Sequence, residues 1–309
     1  MKENRELILN SGDHQEIIEA FIDTFAVDSN TSKSYKSDLK VYATYLKDKR
    51  IDKPTEKTLS EFIDYLKKDR RCVGSTIQNY IIVLKKFYKW CYRRRFYEDI
   101  SLELKYVRVE STFKRRALTL DQAKDLLRYA KRRRNRSIAD FRDYVIVNLI
   151  LTTGLRTIEV SRADAEDIKS DEGVLMVQGK GHSEKDAVVA LPPKLHDLLM
   201  DYLLKREIDA VPLFVSHSNR NPGERMSTQE ISKRIKKLLR GIHLDEKEIS
   251  AHSLRHTAAT LALEAGATFQ EVQQMMRHKS VSITMIYAHN MDRKRNKTER
   301  LLEDVLSED

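Results

Sequence analysis

The chain has 309 residues and a mass of 36.1 kDa, which is enough for two compact domains. Hydrophobic residues make up 40% of it, a fraction that can build buried cores and that argues against wholesale disorder. The formal net charge of +10 and the pI of about 9.3 point to a polyanionic partner, although charge alone does not exclude a merely basic protein.

Targeting and membrane signals are not evident in the sequence. Residues 1–16 lack the apolar core of a signal peptide, and the longest apolar stretch, around 144–151, is too short to span a bilayer. Cys72 and Cys91 are the only cysteines, and we expect both to be reduced and structural. These features predict a cytoplasmic protein that makes no membrane contact.

Helical periodicity runs from about residue 14 to residue 99. A Ser/Thr-rich start followed by apolar residues at helical spacing predicts a helix over 29–49, and 57–69 is a second such segment. Ser75 is a candidate N-cap of a third helix. Its apolar face would comprise Ile77, Ile81, Leu84, Phe87 or Tyr88, and Cys91.

Basic residues are concentrated in two places. Residues 67–95 hold ten basic residues and one acidic residue, Asp69, a surplus too large for ordinary i,i+4 pairing. A solvated face is the usual reason for such a run, but this surplus favours phosphate contact. A second cluster lies in a predicted linker over 107–117, where helical periodicity stops. The candidate DNA-binding residues are Lys85, Lys86, Lys89, Arg93, Arg94, Lys114, Arg115 and Arg116.

The segment after the linker predicts a mixture of helices and strands. It begins with a helix capped by Thr119 or Asp121, followed by a buried helix that ends at Gly154. Two strands joined by a Gly- and Ser-containing turn are predicted at 173–181 and 185–192. Further helices are predicted at 194–207, 228–241, 252–266, 268–278, 280–289 and about 293–307.

Six residues with complementary chemistry follow one another along this second part. They offer two guanidiniums, one ammonium, two imidazoles and one phenol, a set that suits attack on a phosphodiester. In chain order they are Arg156, Lys180, His252, Arg255, His278 and Tyr287.

Tyr287 is the candidate nucleophile. A phenol is a weak nucleophile until its proton leaves, so it needs a base and charged surroundings. The chain has 13 tyrosines, and for any single one a core position is the commoner role. The spacing from His278, and the Ala288-His289 pair that follows, favour the catalytic role.

Arg156 and Arg255 are candidate phosphate ligands, because guanidinium forks match the geometry of phosphate oxygens. A simple salt bridge between Arg156 and Glu159 is the alternative. Both interpretations hold if Glu159 orients Arg156, and we therefore treat Glu159 as a supporting residue.

Lys180 lies in a Gly-Lys-Gly turn and is the candidate acid that protonates the departing 5′ oxygen. An ordinary exposed lysine is the alternative, and Lys185 on the same hairpin is a competitor. His252 and His278 are candidate hydrogen-bond donors or proton shuttles, with His256 in support.

Metal and nucleotide sites fit the sequence poorly. His252 and His256 have the i,i+4 spacing of a metal site, but no Glu follows the first His and no third ligand is evident. Residues 173–180 depart from a P-loop in both spacing and the final Ser/Thr. We expect neither a metal nor a cofactor.

The ordered motif resembles the tyrosine recombinase (phage integrase) family, in the short two-domain form of Xer-like recombinases, transposon resolvases and small mobile-element integrases. The resemblance covers nearly the whole chain and is strongest from Ala117 to His289. It implies a mainly α fold with a small antiparallel β-sheet in the catalytic domain. The implied domains are a helical core-binding domain over 1–106, a linker over 107–117 and a catalytic domain over 118–309.

The resemblance also implies a reaction and its partners. Tyr287 would form a 3′-phosphotyrosine and release a 5′ hydroxyl, which then attacks in a partner strand. The substrate would be double-stranded DNA with an inverted-repeat core site, bound by two protomers and assembled into a tetramer, with an accessory factor or a second recombinase as a further partner. The terminal helix at about 293–307 would dock on a neighbouring protomer, unless it packs on its own domain.

One position departs from the family pattern. The residue before His278 is usually glycine, and here it is Arg277. Glycine permits backbone angles that arginine tolerates less well. Either the turn that leads to His278 differs, or Arg277 supplies another phosphate contact.

Three other functions remain open from the sequence. A type IB topoisomerase would use the same residues without exchanging strands between partners. A DNA-binding protein of the same fold would lack cleavage, and a helical scaffold would lack both cleavage and steeply salt-dependent DNA binding. The DNA sequence recognised, and the choice among integration, excision and resolution, are not encoded in these motifs.

Overall fold

The computed structural model describes residues 14–25, 30–107, 116–179 and 184–277. The chain divides into two units, the first ending at Thr112 and the second beginning at Phe113. Most of the predicted linker and both predicted helices beyond residue 279 lie outside the described residues. None of the described helices has the combination of length and hydropathy that a transmembrane span requires.

In its described part, the first unit contains helices and no strands. Its helices are α1 (His14–Ile22), α2 (Asn30–Asp48), α3 (Glu56–Lys68) and α4 (Gly74–Arg93). Their apolar faces meet in one core that is rich in aromatic side chains. Phe62, for example, packs edge-on against Tyr42 with ring centroids 4.9 Å apart. Both cysteines are free thiols, as the sequence predicted.

The predicted cap of the third long helix is wrong. Helix α4 begins at Gly74, so Ser75 lies within its first turn. The N-cap is Val73, whose side chain makes no capping bond. Its carbonyl accepts the first hydrogen bonds, from the backbone N–H groups of Thr76 and Ile77. Helix α4 therefore begins without a polar cap, and tertiary packing of its apolar face stabilises it.

The second unit combines helices with a small sheet. Its helices are α5 (Leu120–Arg133), α6 (Ile138–Thr153), α7 (Thr157–Arg162), α8 (Pro193–Lys205), α9 (Thr228–Arg240), α10 (Ala251–Glu264) and α11 (Phe269–Met276), with a 3₁₀ turn at Ala165–Asp167. Thr119 caps α5 in a reciprocal arrangement with Gln122, which settles the choice between the two predicted caps.

Helix α6 forms the centre of this unit. It packs against α5, α8, α9 and α10, and nearly every side of it is buried. Even its charged residues Arg142 and Asp143 are buried, and they pair with each other at 2.7 Å. As predicted, the helix is enclosed and ends at Gly154.

The sheet has three antiparallel strands in the order β1 (Ile168–Lys169), β2 (Val174–Val177) and β3 (Ala187–Ala190). The predicted hairpin is confirmed, with Val174 opposite Ala190 and Val177 opposite Ala187. Strand β1 was not predicted, because two residues are too few to show an alternating pattern. The mainly α fold with a small antiparallel sheet is thus confirmed.

A buried pair of hydroxyls links α2 to α4. The side-chain oxygens of Tyr42 and Tyr88 are 2.7 Å apart, and both residues are about 1% exposed. Burial raises the pKa of both phenols, so they stay neutral. Each hydroxyl therefore depends on the other as its hydrogen-bond partner in the core.

We expect Tyr42→Phe to lower the free energy of unfolding by about 1–3 kcal/mol, because it leaves the Tyr88 hydroxyl buried and unsatisfied. The double variant Tyr42→Phe/Tyr88→Phe should lose less than the single variant, because no orphaned hydroxyl remains. Urea unfolding measures both. Additive losses would contradict this account of the pair.

Candidate functional site

A glycine fixes the point where the central helix of the second unit ends. Gly154 adopts a left-handed conformation with φ of 63°. A Cβ added there would lie 2.6 Å from the sulfur of Met276, so the tight contact also requires glycine. Leu155 is buried directly after it, and Arg156 follows. The turn thus delivers Arg156 to the start of α7.

Arg156 and Glu159 form a closed unit at the start of α7. The Arg156 backbone N–H donates to Glu159 Oε2 at 2.7 Å, and its Nη1 donates to Glu159 Oε1 at 2.8 Å. Glu159 is completely buried, whereas the Arg156 side chain keeps 22% exposure. The salt bridge considered from the sequence is therefore present. It leaves the guanidinium at the surface and fixes its orientation.

Arg255 reaches the same place from α10. Its side chain is 6% exposed, and its Nη1 lies 3.9 Å from Glu159 Oε2. Nη1 also donates to the carbonyl of Gly154, and Nη2 donates to the carbonyl of Met276. The two predicted arginines, 99 positions apart in the sequence, therefore converge on one carboxylate.

A third arginine, Arg277, completes this group. It caps α11 in the left-handed conformation, with φ of 50°. Its Nη2 donates to Glu159 Oε2 at 2.9 Å. Burial by itself would raise the pKa of Glu159, but the charge of Arg277 and the hydrogen bonds from Arg156 and Arg277 outweigh it and lower that pKa. Glu159 is therefore ionised at neutral pH.

The two predicted histidines of α10 have different surroundings. His252 is exposed and lines an open cleft of about 510 Å³. His256, one turn later, is 4% exposed, and its Nδ1 lies 3.3 Å from the Thr260 hydroxyl. Burial lowers the pKa of His256 to about 4, so this ring is neutral at physiological pH. Only His252 of the two can face a ligand in the cleft.

Lys185, the competitor for the role of acid, is held by two carboxylates. Its Nζ lies 2.6 Å from Asp164 Oδ2 and 2.7 Å from Asp167 Oδ2. Burial opposes its charge, yet the hydrogen bonds to Asp164 and Asp167 raise its pKa. A tightly paired ammonium of raised pKa is a poor proton donor. Lys180 is the other candidate, and it lies outside the described residues.

His278 and Tyr287 also lie outside the described residues, as do Lys114 and Arg115 of the predicted linker. Within the described residues, no group of three or more His, Cys, Asp or Glu side chains is arranged to hold a metal ion.

The predicted DNA-binding side chains on α4 differ in their contacts. Lys85 donates to the carbonyls of Ser101 and Leu102 at 2.9 and 3.2 Å, which ties it to the chain after α4. Lys86 donates to the Tyr35 hydroxyl at 2.7 Å. Lys89, Arg93 and Arg94 are exposed. In the second unit, Arg116 is exposed and pairs with Glu246 at 2.9 Å.

Some residues beside His252 were not predicted as part of a site. Thr157, Thr228 and Lys233 line the same cleft, and Lys233 is exposed. They come from α7 and α9, so only the tertiary packing of these helices against α10 places them there. No short motif in the sequence marks them.

Models of two protein families match the chain. The model of the phage integrase family matches residues 116–294, and that of the phage integrase N-terminal SAM-like domain matches residues 18–95. Together they account for most of both structural units.

Similar curated proteins are named as Xer recombinases. Tyrosine recombinase XerC of Thermodesulfovibrio yellowstonii is 29% identical over 276 residues, which cover 84% of this chain and 86% of that protein. Tyrosine recombinase XerD of Staphylococcus epidermidis is 27% identical over 295 residues, covering 88% and 93%.

Solved structures share the fold. The XerH site-specific recombinase bound to a palindromic difH substrate gives a TM-score of 0.71 at 19% identity, covering 89% of this chain and 80% of that one. A lambda integrase dimer bound to a COC′ core site gives a TM-score of 0.67 at 15% identity, covering 87% and 96%.

The low pKa of His256 predicts a specific acid sensitivity. Its pKa is about 4 in the folded chain and about 6.5 when unfolded. Below pH 6.5 the unfolded chain takes up the proton first, so this histidine costs stability as the pH falls toward 4. Between pH 7.5 and 4.5, we expect His256→Gln to lose about 2 kcal/mol less unfolding free energy than the wild type. Parallel pH dependences of the two proteins in urea titrations would contradict this.

Proposed function

The chain belongs to the phage integrase family, and on that premise we propose that it cleaves and rejoins DNA strands at specific sites through a covalent 3′-phosphotyrosine at Tyr287. The observation that supports this most is the convergence of Arg156 and Arg255 on Glu159, close to a cleft lined by His252. Two guanidiniums held at one place are what a doubly charged phosphorane requires.

In the proposed cleavage step, the Tyr287 oxygen attacks the scissile phosphorus and the bond from phosphorus to the 5′ oxygen breaks. Lys180 gives a proton to the departing 5′ oxygen, and His252 and His278 assist by hydrogen bonding or by moving the tyrosine proton. Arg156 and Arg255 hold the non-bridging oxygens. A guanidinium carries five N–H donors, so it can bond protein acceptors and phosphate oxygens at once.

In the second step, the 5′ hydroxyl of a partner strand attacks the phosphotyrosine and releases Tyr287. The phosphotyrosine keeps the energy of the broken phosphodiester, so the cycle needs no nucleotide hydrolysis. The cationic side chains stabilise the charge on the phosphate, the task that a metal ion would otherwise perform. Glu159 and His256 take no part in bond making. Glu159 orients the arginines. His256, a residue of α10, is buried and neutral.

The proposed DNA contacts follow from exposure and charge. Lys89, Arg93 and Arg94 on α4 present cations to solvent, and Lys86 remains exposed beside Tyr35. Phosphate contacts of this kind give affinity that falls with salt and carry no sequence information. Lys85 and Arg116 can contact phosphates only after they break their bonds to the Ser101 carbonyl and to Glu246, respectively. We include Lys114 and Arg115 from the sequence pattern.

The proposed assembly is two protomers on an inverted-repeat core site and four in the complex that exchanges strands, with an accessory factor or a second recombinase as a further partner. We assign DNA binding to residues 1–106 and catalysis to 118–309, with 107–117 as the linker and the terminal helix at about 293–307 contacting a neighbouring protomer. The protein would act on cytoplasmic, nucleoid-associated DNA, in integration, excision or resolution.

The proposal is tested by covalent trapping. Wild-type protein, incubated with labelled DNA from the regions flanking its own gene and without metal or ATP, should give a protein–DNA adduct on a denaturing gel. Tyr287→Phe should give no adduct, but it should still bind the DNA and retard it on a native gel. Tyr144→Phe is the matched control, since its ring contact with Arg134 needs no hydroxyl, and it should cleave like the wild type.

The other outcomes are equally informative. An adduct formed by Tyr287→Phe would show that another residue is the nucleophile. Specific retardation without any wild-type adduct would favour a binding protein, and adducts without recombinant products would favour a topoisomerase.

A further inference from the structure

Arg277 is the least expected member of the arginine group. Left-handed backbone angles are unfavourable for residues with a Cβ and cost glycine nothing. Five other non-glycine residues among those described have positive φ, and three of them are arginines: Arg50, Arg71 and Arg95. Those three side chains are exposed. The left-handed conformation therefore does not by itself draw an arginine side chain inward.

The side chain of Arg277 is directed into the protein, with 16% exposure. Its Nη2 donates to Glu159 Oε2 at 2.9 Å, and its Nη1 donates to the Met275 carbonyl at 2.8 Å. Inserting a long cation into a region that already holds two guanidiniums costs repulsion and desolvation. The completely buried Glu159 carboxylate compensates for this, since its two oxygens are shared between Arg156 and Arg277.

The backbone of the same turn also contacts the other two arginines. The Arg277 carbonyl accepts from Arg156 Nη2 at 3.4 Å, and the preceding carbonyl of Met276 accepts from Arg255 Nη2. A displacement of residues 276–277 would therefore move acceptors of both candidate phosphate ligands. The ion pair between the Arg277 side chain and Glu159 is a second contact between this turn and α7, beside the bond from Arg156.

We propose that Arg277 is a positioning residue for DNA cleavage: its guanidinium clamps Glu159 and holds the turn at residues 276–277, and through them it sets the orientation of Arg156 and Arg255. This inference rests on the proposed function. It assigns to Arg277 no contact with the substrate. Its contribution would appear in the rate of the chemical step, while binding of the DNA duplex, which depends on many phosphate contacts, would change little.

The test is single-turnover cleavage at saturating DNA with Arg277→Gly, Arg277→Lys and Arg277→Met, together with the DNA dissociation constant of each variant. Glycine relieves the left-handed backbone but removes the clamp. Lysine keeps a cation that can pair with Glu159. Methionine keeps the Cβ and the aliphatic stem without the charge, so lysine against methionine isolates the ion pair even if the glycine variant folds poorly. Arg50→Gly is the matched control, with the same charge change at a left-handed, exposed position.

We expect Arg277→Gly and Arg277→Met to cleave roughly tenfold or more slowly than the wild type, with dissociation constants within about twofold. Arg277→Lys should recover most of the rate, and Arg50→Gly should cleave at the wild-type rate. Wild-type rates in the glycine and methionine variants, or a lysine variant as slow as methionine, would overturn the inference and leave the proposed function intact. Absence of cleavage by the wild type itself would overturn the proposed function, and this inference with it.

Discussion

The positions of three arginines in the second unit depend on one buried carboxylate. Glu159 is completely buried, and three arginines approach it: Arg156 at 2.8 Å, Arg277 at 2.9 Å and Arg255 at 3.9 Å. An ion in the protein interior is tolerated only where its charge and its hydrogen-bonding capacity are satisfied. The same requirement holds the guanidiniums in place, because each would otherwise face the repulsion of the other two. Burial of the acid thus produces a concentrated, oriented positive charge.

The packed helices of the second unit determine where these arginines lie. Helix α6, enclosed by α5, α8, α9 and α10, ends at Gly154, where the close approach of Met276 leaves no room for a side chain. The turn then presents Arg156, while α10 brings Arg255 and α11 ends at Arg277. Arg156 and Arg277 therefore project from helix ends, and Arg255 projects from the second turn of α10. Because these helices are packed, the positions of the three arginines are fixed.

Sequence patterns predicted what depends on local order and failed where contacts are distant. Gly154 as a helix terminator and the β2–β3 hairpin follow from short-range rules, and both are confirmed. The resemblance drew attention to Arg277 as a departure, but its pairing with Glu159 joins residues 118 positions apart, and no local pattern encodes that. The carboxylates that hold Lys185 were missed for the same reason. Ser75 failed as a cap because packing of the apolar face of α4 fixes where that helix begins.

We infer that the Glu159 carboxylate orients the arginines that would hold the scissile phosphate. Single-turnover cleavage by Glu159→Gln at saturating DNA tests this inference, because glutamine keeps the shape of the side chain and removes its charge. We predict a rate about a hundredfold below that of the wild type with DNA affinity little changed, since small displacements of catalytic groups have effects of this order. A Glu159→Gln protein that cleaves at the wild-type rate would contradict this inference.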